Sequence, residues 1–129
     1  MDRSLGGRVV PSALRAAGWR LRTLAEVYGD RQELVPDDEW LELCGREGWL
    51  VLAKDKRIRS RPREREAIVE HGVRAFVLTS GQLTAEHQVE RFLDNAAAID
   101  RAGEEPGPFV YAVHAKRLIR VFPPSREAR

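Results

Sequence analysis

A chain of 129 residues, 43% hydrophobic and 33% charged, can bury one core and still solvate its surface, so it reads as a single domain and not as a disordered tract. It contains no run of eighteen apolar residues, which excludes a membrane-spanning helix, and Asp2 stands where a signal peptide needs positive charge. The formal net charge of +2 points to no partner, while the single cysteine, Cys44, excludes an intrachain disulfide and suits a reducing cytoplasm.

In chain order, residues 11–18 read as a short helix, with Pro11 suited to the first turn and Gly18 to the stop. Residues 19–24 form a strand candidate, with Trp19, Leu21 and Thr23 on one face and Arg20 and Arg22 on the other. Tyr28-Gly29-Asp30 breaks that pattern and begins a polar loop. Pro36-Asp37-Asp38-Glu39 announces a helix to about Glu47, with Asp37 as its N-cap, acids at the positive end of its dipole and Gly48 to stop it. Gly45 weakens this helix slightly, and Cys44 beside Leu41 and Leu43 reads as a small buried apolar residue.

Residues 49–53 are a nearly continuous apolar run, the pattern of a strand covered on both faces. Pro62 opens a helix through Ile68 and Val69 to His71-Gly72, and residues 75–78 form a second buried strand ending in Thr79-Ser80-Gly81. Thr84 caps the longest helix, in which Val89, Phe92, Leu93, Ala96, Ala97 and Ile99 keep helical spacing up to Gly103. Residues 109–113 and 118–122 make two final strands joined near Ala115-Lys116, so the domain spans residues 1–122 and residues 123–129 form a frayed tail. Strands separated by helices indicate an α/β fold with a parallel sheet, whose functional residues collect beyond the carboxyl ends of the strands.

That rule selects the candidate chemistry. Asp55 follows the run ending in Ala53-Lys54, Thr79 and Ser80 follow the run 75–78, Asp37 and Asp38 open a helix, and Asp2 precedes the small-residue turn Ser4-Leu5-Gly6-Gly7. Taken singly, Asp37 reads first as a plain N-cap, and Asp55 is also a common turn residue. Taken together, carboxylates at one sheet edge repel one another unless a hard divalent cation such as Mg²⁺ or Mn²⁺ is bound among their oxygens. Such an ion can activate water and neutralise charge on a phosphodiester. Between residues 54 and 65 stand seven basic side chains (Lys54, Lys56, Arg57, Arg59, Arg61, Arg63, Arg65) against Asp55 and Glu64, a footprint for a polyanion or simply a solvated loop.

Other polar residues offer less. His71 suits the negative end of a helix, and His87 and His114 lack mutual ligand spacing. Ser4, Ser12 and Ser80 have no nucleophile motif, and Gly6-Gly7 lacks the rest of a phosphate-binding loop. Trp19, Trp40 and Trp49 sit beside apolar neighbours and read as core.

Asp2-Arg3-Ser4-Leu5-Gly6, Asp37-Asp38-Glu39-Trp40, the segment from Gly48 through Asp55 to Arg59, and Arg74-Ala75-Phe76-Val77-Leu78-Thr79 together resemble the PIN-like ribonuclease toxins of VapC type, in order and at similar spacing over residues 2–100. The resemblance implies a PIN-like, Rossmann-like three-layer domain with a mostly parallel sheet flanked by helices. It implies endoribonuclease activity with Mg²⁺ or Mn²⁺, an antitoxin partner and a homodimer. Asp2, Asp37 and Asp55 then match the metal-binding acids, with Asp38 a close substitute for Asp37. Arg3, Lys54, Lys56, Arg57, Arg59 and Arg61 would hold RNA, and Thr79 or Ser80 would position water or phosphate. In that family several apolar residues precede the first acid, where this sequence has Met1 alone, and a fourth aspartate is lacking here. Either an apolar stretch is encoded upstream or that strand is missing. These departures keep open a catalytically inactive PIN-like module that binds nucleic acid or protein, and a DNA or repair nuclease.

Overall fold

The computed structural model describes residues 9–54, 62–78 and 83–123. Three helices come first: α1 (Val9–Ala16), α2 (Leu24–Tyr28), continued by a 3-10 turn (Gly29–Leu34), and α3 (Asp37–Glu47). The sheet elements and their crossovers follow as β1 (Leu50–Ala53), α4 (Pro62–His71), β2 (Arg74–Leu78), α5 (Ala85–Asp94), α6 (Ala96–Gly103), β3 (Phe109–Val113) and β4 (Leu118–Phe122). The strands form one four-stranded sheet in the order β1-β2-β3-β4. β1 pairs with β2 and β2 with β3 in parallel, and β4 returns antiparallel along β3.

Side-chain alternation along these strands builds two cores. Val51, Ala53, Ala75, Val77 and Val110 point to one face, where Leu24, Trp40, Leu41, Ala67 and Ile68 of α2, α3 and α4 cover them. Leu52, Phe76, Leu78, Phe109 and Val113 point the other way, against Val10 and Leu14 of α1, Phe92 of α5, and Ile99 and Ala102 of α6. On this second face Phe76 meets Phe109 edge-on at 5.6 Å and stacks on Tyr111 at 5.8 Å. The domain is therefore α/β in three layers, with a mostly parallel sheet between two sets of helices, as expected.

Three local expectations are corrected. Residues 19–23 form no strand; Thr23 instead caps α2. Its hydroxyl accepts from the Glu26 amide at 3.1 Å, and Glu26 Oε1 accepts from the Thr23 amide at 2.8 Å, a reciprocal capping box that wins over the alternating Trp and Arg pattern. Asp37 is not the N-cap of α3 but its first helical residue, because Pro36 occupies the cap in extended conformation. The helix capped by Thr84 does not run unbroken to Gly103. Asn95, 2% exposed, ends α5 and starts α6, and its Nδ2 donates to the carbonyls of Arg91 at 2.8 Å and of His114 at 2.9 Å. The tail expected after residue 123 lies outside the described residues.

The reading of Cys44 holds in part: it is half-buried against the first core, and burial pushes its thiol pKa up. Trp40 is a core residue, whereas Trp19 and Trp49 are half-buried, Trp19 tilted against Phe92 and Trp49 beneath the Arg22 guanidinium at 5.6 Å.

Candidate active site at the carboxyl edge of the sheet

Topology fixes which ends of the helices face the chemistry. Parallel β1 and β2 are joined through α4, so α4 must begin near the carboxyl end of β1 and return the chain to the amino end of β2. α3 reaches β1 after only Gly48 and Trp49, with Gly48 left-handed at φ 73°, so its N-terminus also lies toward the carboxyl edge. The opposite edge confirms this polarity. There Arg74, at the start of β2, donates to the carbonyl of Gly48 at 2.6 Å and to that of Gly103, the C-terminal ends of α3 and α6.

α3 and α4 lie close together. A Cβ at Gly45 would collide with the carbonyl oxygen of His71, so only glycine allows this approach. At the other end of the pair, Asp38 and Arg63 meet at 3.6 Å with side chains 44% and 77% exposed. An ion pair so open to water contributes little and leaves the Asp38 carboxylate available to another cation.

Of the residues expected at the site, the structure thus places the start of α3, with Asp37 and Asp38, and Lys54 at the end of β1 near one edge. Lys54 is half-buried. The side chain of Asp37 is not among the described parts. Asp2, Arg3, Asp55, Lys56, Arg57, Arg59, Arg61, Thr79 and Ser80 lie outside the described residues. Among the described residues no group of three or more Asp, Glu, His or Cys side chains can hold a metal ion.

Glu64 was missed by the sequence reading. It stands in the first turn of α4 and is 6% exposed, and its Oε2 has no hydrogen-bond partner among the described residues. Glu64, Ala67 and Ile68 are the buried positions of α4, so a carboxylate continues an apolar stripe. Burying a carboxylate without a partner costs several kcal/mol, so this atom calls for a donor or a cation. Carboxylates such as Asp38 and Glu64 are oxygen donors, whose chemistry fits a hard divalent ion in preference to a thiolate-seeking one.

The outer side of the α3–α4 pair has a different character. A cleft of about 540 Å³ is lined there by Asp38, Glu39, Glu42, Glu66 and Glu70 together with Arg63 and His71. Its carboxylates, Asp38 among them, favour cations over a bare phosphate backbone. His71, in the last turn of α4 as expected, has Nε2 4.0 Å from carboxylate oxygens of both Glu42 and Glu70.

Residues 1–80 match a family model described as a PIN like domain. The chain is 40% identical over 123 residues, 95% of its length and 89% of the relative's, to a Mycobacterium tuberculosis protein named "Putative ribonuclease VapC45". No solved structure matches at a significant level.

Proposed function

Because this chain belongs to the PIN-like domain family, we propose that it is an endoribonuclease using Mg²⁺ or Mn²⁺, the toxin of a toxin–antitoxin pair acting in the cytoplasm. The observation that carries this reading is the convergence of acid-bearing helix starts on the carboxyl edge where β1 leads into Asp55. The ribonuclease named among its relatives supports the choice of RNA as substrate. When bound, the divalent ion neutralises charge on the scissile phosphodiester and activates water.

The chain's own residues divide the remaining work. Asp2, Asp37 and Asp55 would hold the ion, with Asp38 at the start of α3 a close substitute for Asp37. Arg57, Arg59 and Arg61, assisted by Arg3, Lys54 and Lys56, bind and orient the RNA backbone, since guanidinium groups pair with phosphate oxygens in a bidentate fork. Thr79 and Ser80, beyond the end of β2, offer hydroxyls that orient water or phosphate at the reacting bond. A small antitoxin that covers this edge would silence the enzyme, and a homodimer is the working assembly.

Cleavage of an end-labelled RNA tests the proposal. The wild-type chain should cut in Mg²⁺, lose activity in EDTA and regain it with Mn²⁺. Asp55→Asn should slow cutting by about 100-fold or more while its thermal unfolding in EDTA matches wild type. Wild-type cutting by Asp55→Asn would overturn the role of Asp55, and undiminished cutting in EDTA would overturn the metal.

A further inference from the structure

We propose that a cleft beside β1 binds an unpaired nucleotide of the RNA, an inference that rests on the ribonuclease reading above. A cavity of about 920 Å³ is bounded by the linker from α1 to α2, by the start of β1 and by α6. Trp19, Arg20 and Arg22 line it from the linker, Trp49 and Leu52 from the chain around β1, and Asp100 from α6. The linker is held in place although it forms neither helix nor strand. Gly18 turns the chain out of α1 at φ 96°, the Trp19 amide donates to the Leu14 carbonyl at 3.0 Å, and the Leu21 carbonyl accepts from Arg15 at 2.9 Å. Trp19 and Leu21 pack against the second core, while Arg20 and Arg22 stay exposed.

Each part of a nucleotide finds a complement in this cleft. Trp40, 2% exposed, belongs to the core, but Trp19 and Trp49 are half-buried and line the cavity. The Arg22 guanidinium lies 5.6 Å from the centre of the Trp49 ring. Unpaired bases stack on such indole and guanidinium planes. Arg20 has no ion-pair partner among the described residues, and its fork suits a phosphate. The exposed carboxylate of Asp100 is an acceptor for base N–H groups and does not compete for the phosphate. Leu52 stands two residues before Lys54, about 7 Å by strand rise, so an RNA bound at Lys54 can set a neighbouring nucleotide in the cleft. The rival occupant is an extended peptide added to β1, the outermost strand of the described sheet; it would use the leucines and leave both guanidiniums idle.

Fluorescence anisotropy of a short labelled single-stranded RNA, titrated in EDTA with the full Asp55→Asn chain, tests the site without cleavage. Trp49→Leu should bind at least about tenfold more weakly, and Trp49→Phe, which keeps an aromatic face, should stay within about twofold of the parent. Arg20→Ala, at an exposed position, should flatten the salt slope by about 0.7 with an unchanged melting temperature, and it serves if Trp49→Leu does not fold. Parent-like affinity in folded Trp49→Leu, or an unchanged slope in Arg20→Ala, would overturn the cleft as a nucleotide site. Loss of binding on replacing Arg57, Arg59 and Arg61 would still leave the RNA reading intact in that case. Equal weakening by Trp49→Leu and Trp49→Phe would trace the effect to packing and overturn the inference likewise. Tryptophan quenching by an alternating leucine–glutamate peptide but not by RNA would assign the cleft to a strand-like partner instead. Failure of the parent chain to bind RNA would remove the RNA reading and this inference together.

Discussion

Glu26 shows how much local order one side chain can set. Its carboxylate accepts from the Thr23 amide and, at 2.5 Å, from the Arg15 guanidinium, so it ties α1 to the start of α2. The backbone hydrogen bond from Thr23, and then the hydrogen bond from Arg15, hold its pKa below the ordinary value of 4.5. A lowered folded-state value means that the charged form favours folding. The contribution is complete above about pH 4.5 and disappears as the pH falls through the lower folded-state value. Glu26→Gln should therefore melt below wild type at pH 7, and the gap should close progressively as both are acidified below pH 4.5; a gap independent of pH would show that the charge does not matter. Arg15→Met should lower the pH 7 melting temperature in the same sense, through the second of the two bonds.

Among elements, the contact of α3 with α4 is the one most sensitive to size. In an isolated helix Gly45→Ala would gain about 1 kcal/mol. Here the added methyl meets the His71 carbonyl, and overpacking of this kind costs about 1–3 kcal/mol, so the variant should have a lower urea midpoint with an unchanged slope. The apolar runs 49–53 and 75–78 were legible as buried strands because each is short, continuous and bounded by glycine or charged residues. Residues 19–24 misled because Trp-Arg alternation imitates a strand, while the competing Thr-x-x-Glu signal decides the local backbone. The break at Asn95 was not legible, because one of the two carbonyls that hold its amide belongs to His114, nineteen residues away. At the candidate site, the placement of Asp37 and Asp38 at a helix start was legible from Pro36 and the acids after it. Glu64 was not, because a charge within an apolar stripe is normally read as an interruption of that stripe.

At the scale of the molecule, the sheet keeps its two edges for different tasks. In the proposed reading the basic strip that follows β1 in the sequence holds the RNA backbone, so RNA binding should be governed by salt. Each phosphate neutralised on a single strand contributes about 0.7 to the slope of log affinity against log salt. Replacing Arg57, Arg59 and Arg61 together by alanine in the Asp55→Asn background should therefore flatten that slope by about 2, as read by fluorescence anisotropy. An unchanged slope would move the RNA path elsewhere. At the amino edge, Arg74 reaches the ends of α3 and α6, helices from opposite layers, with one guanidinium. The two outer layers are bound there like the covers of a book at its spine. Any loosening that admits a long substrate is then confined to the far margin of the pages, and the fold can vary its reading edge without coming unbound.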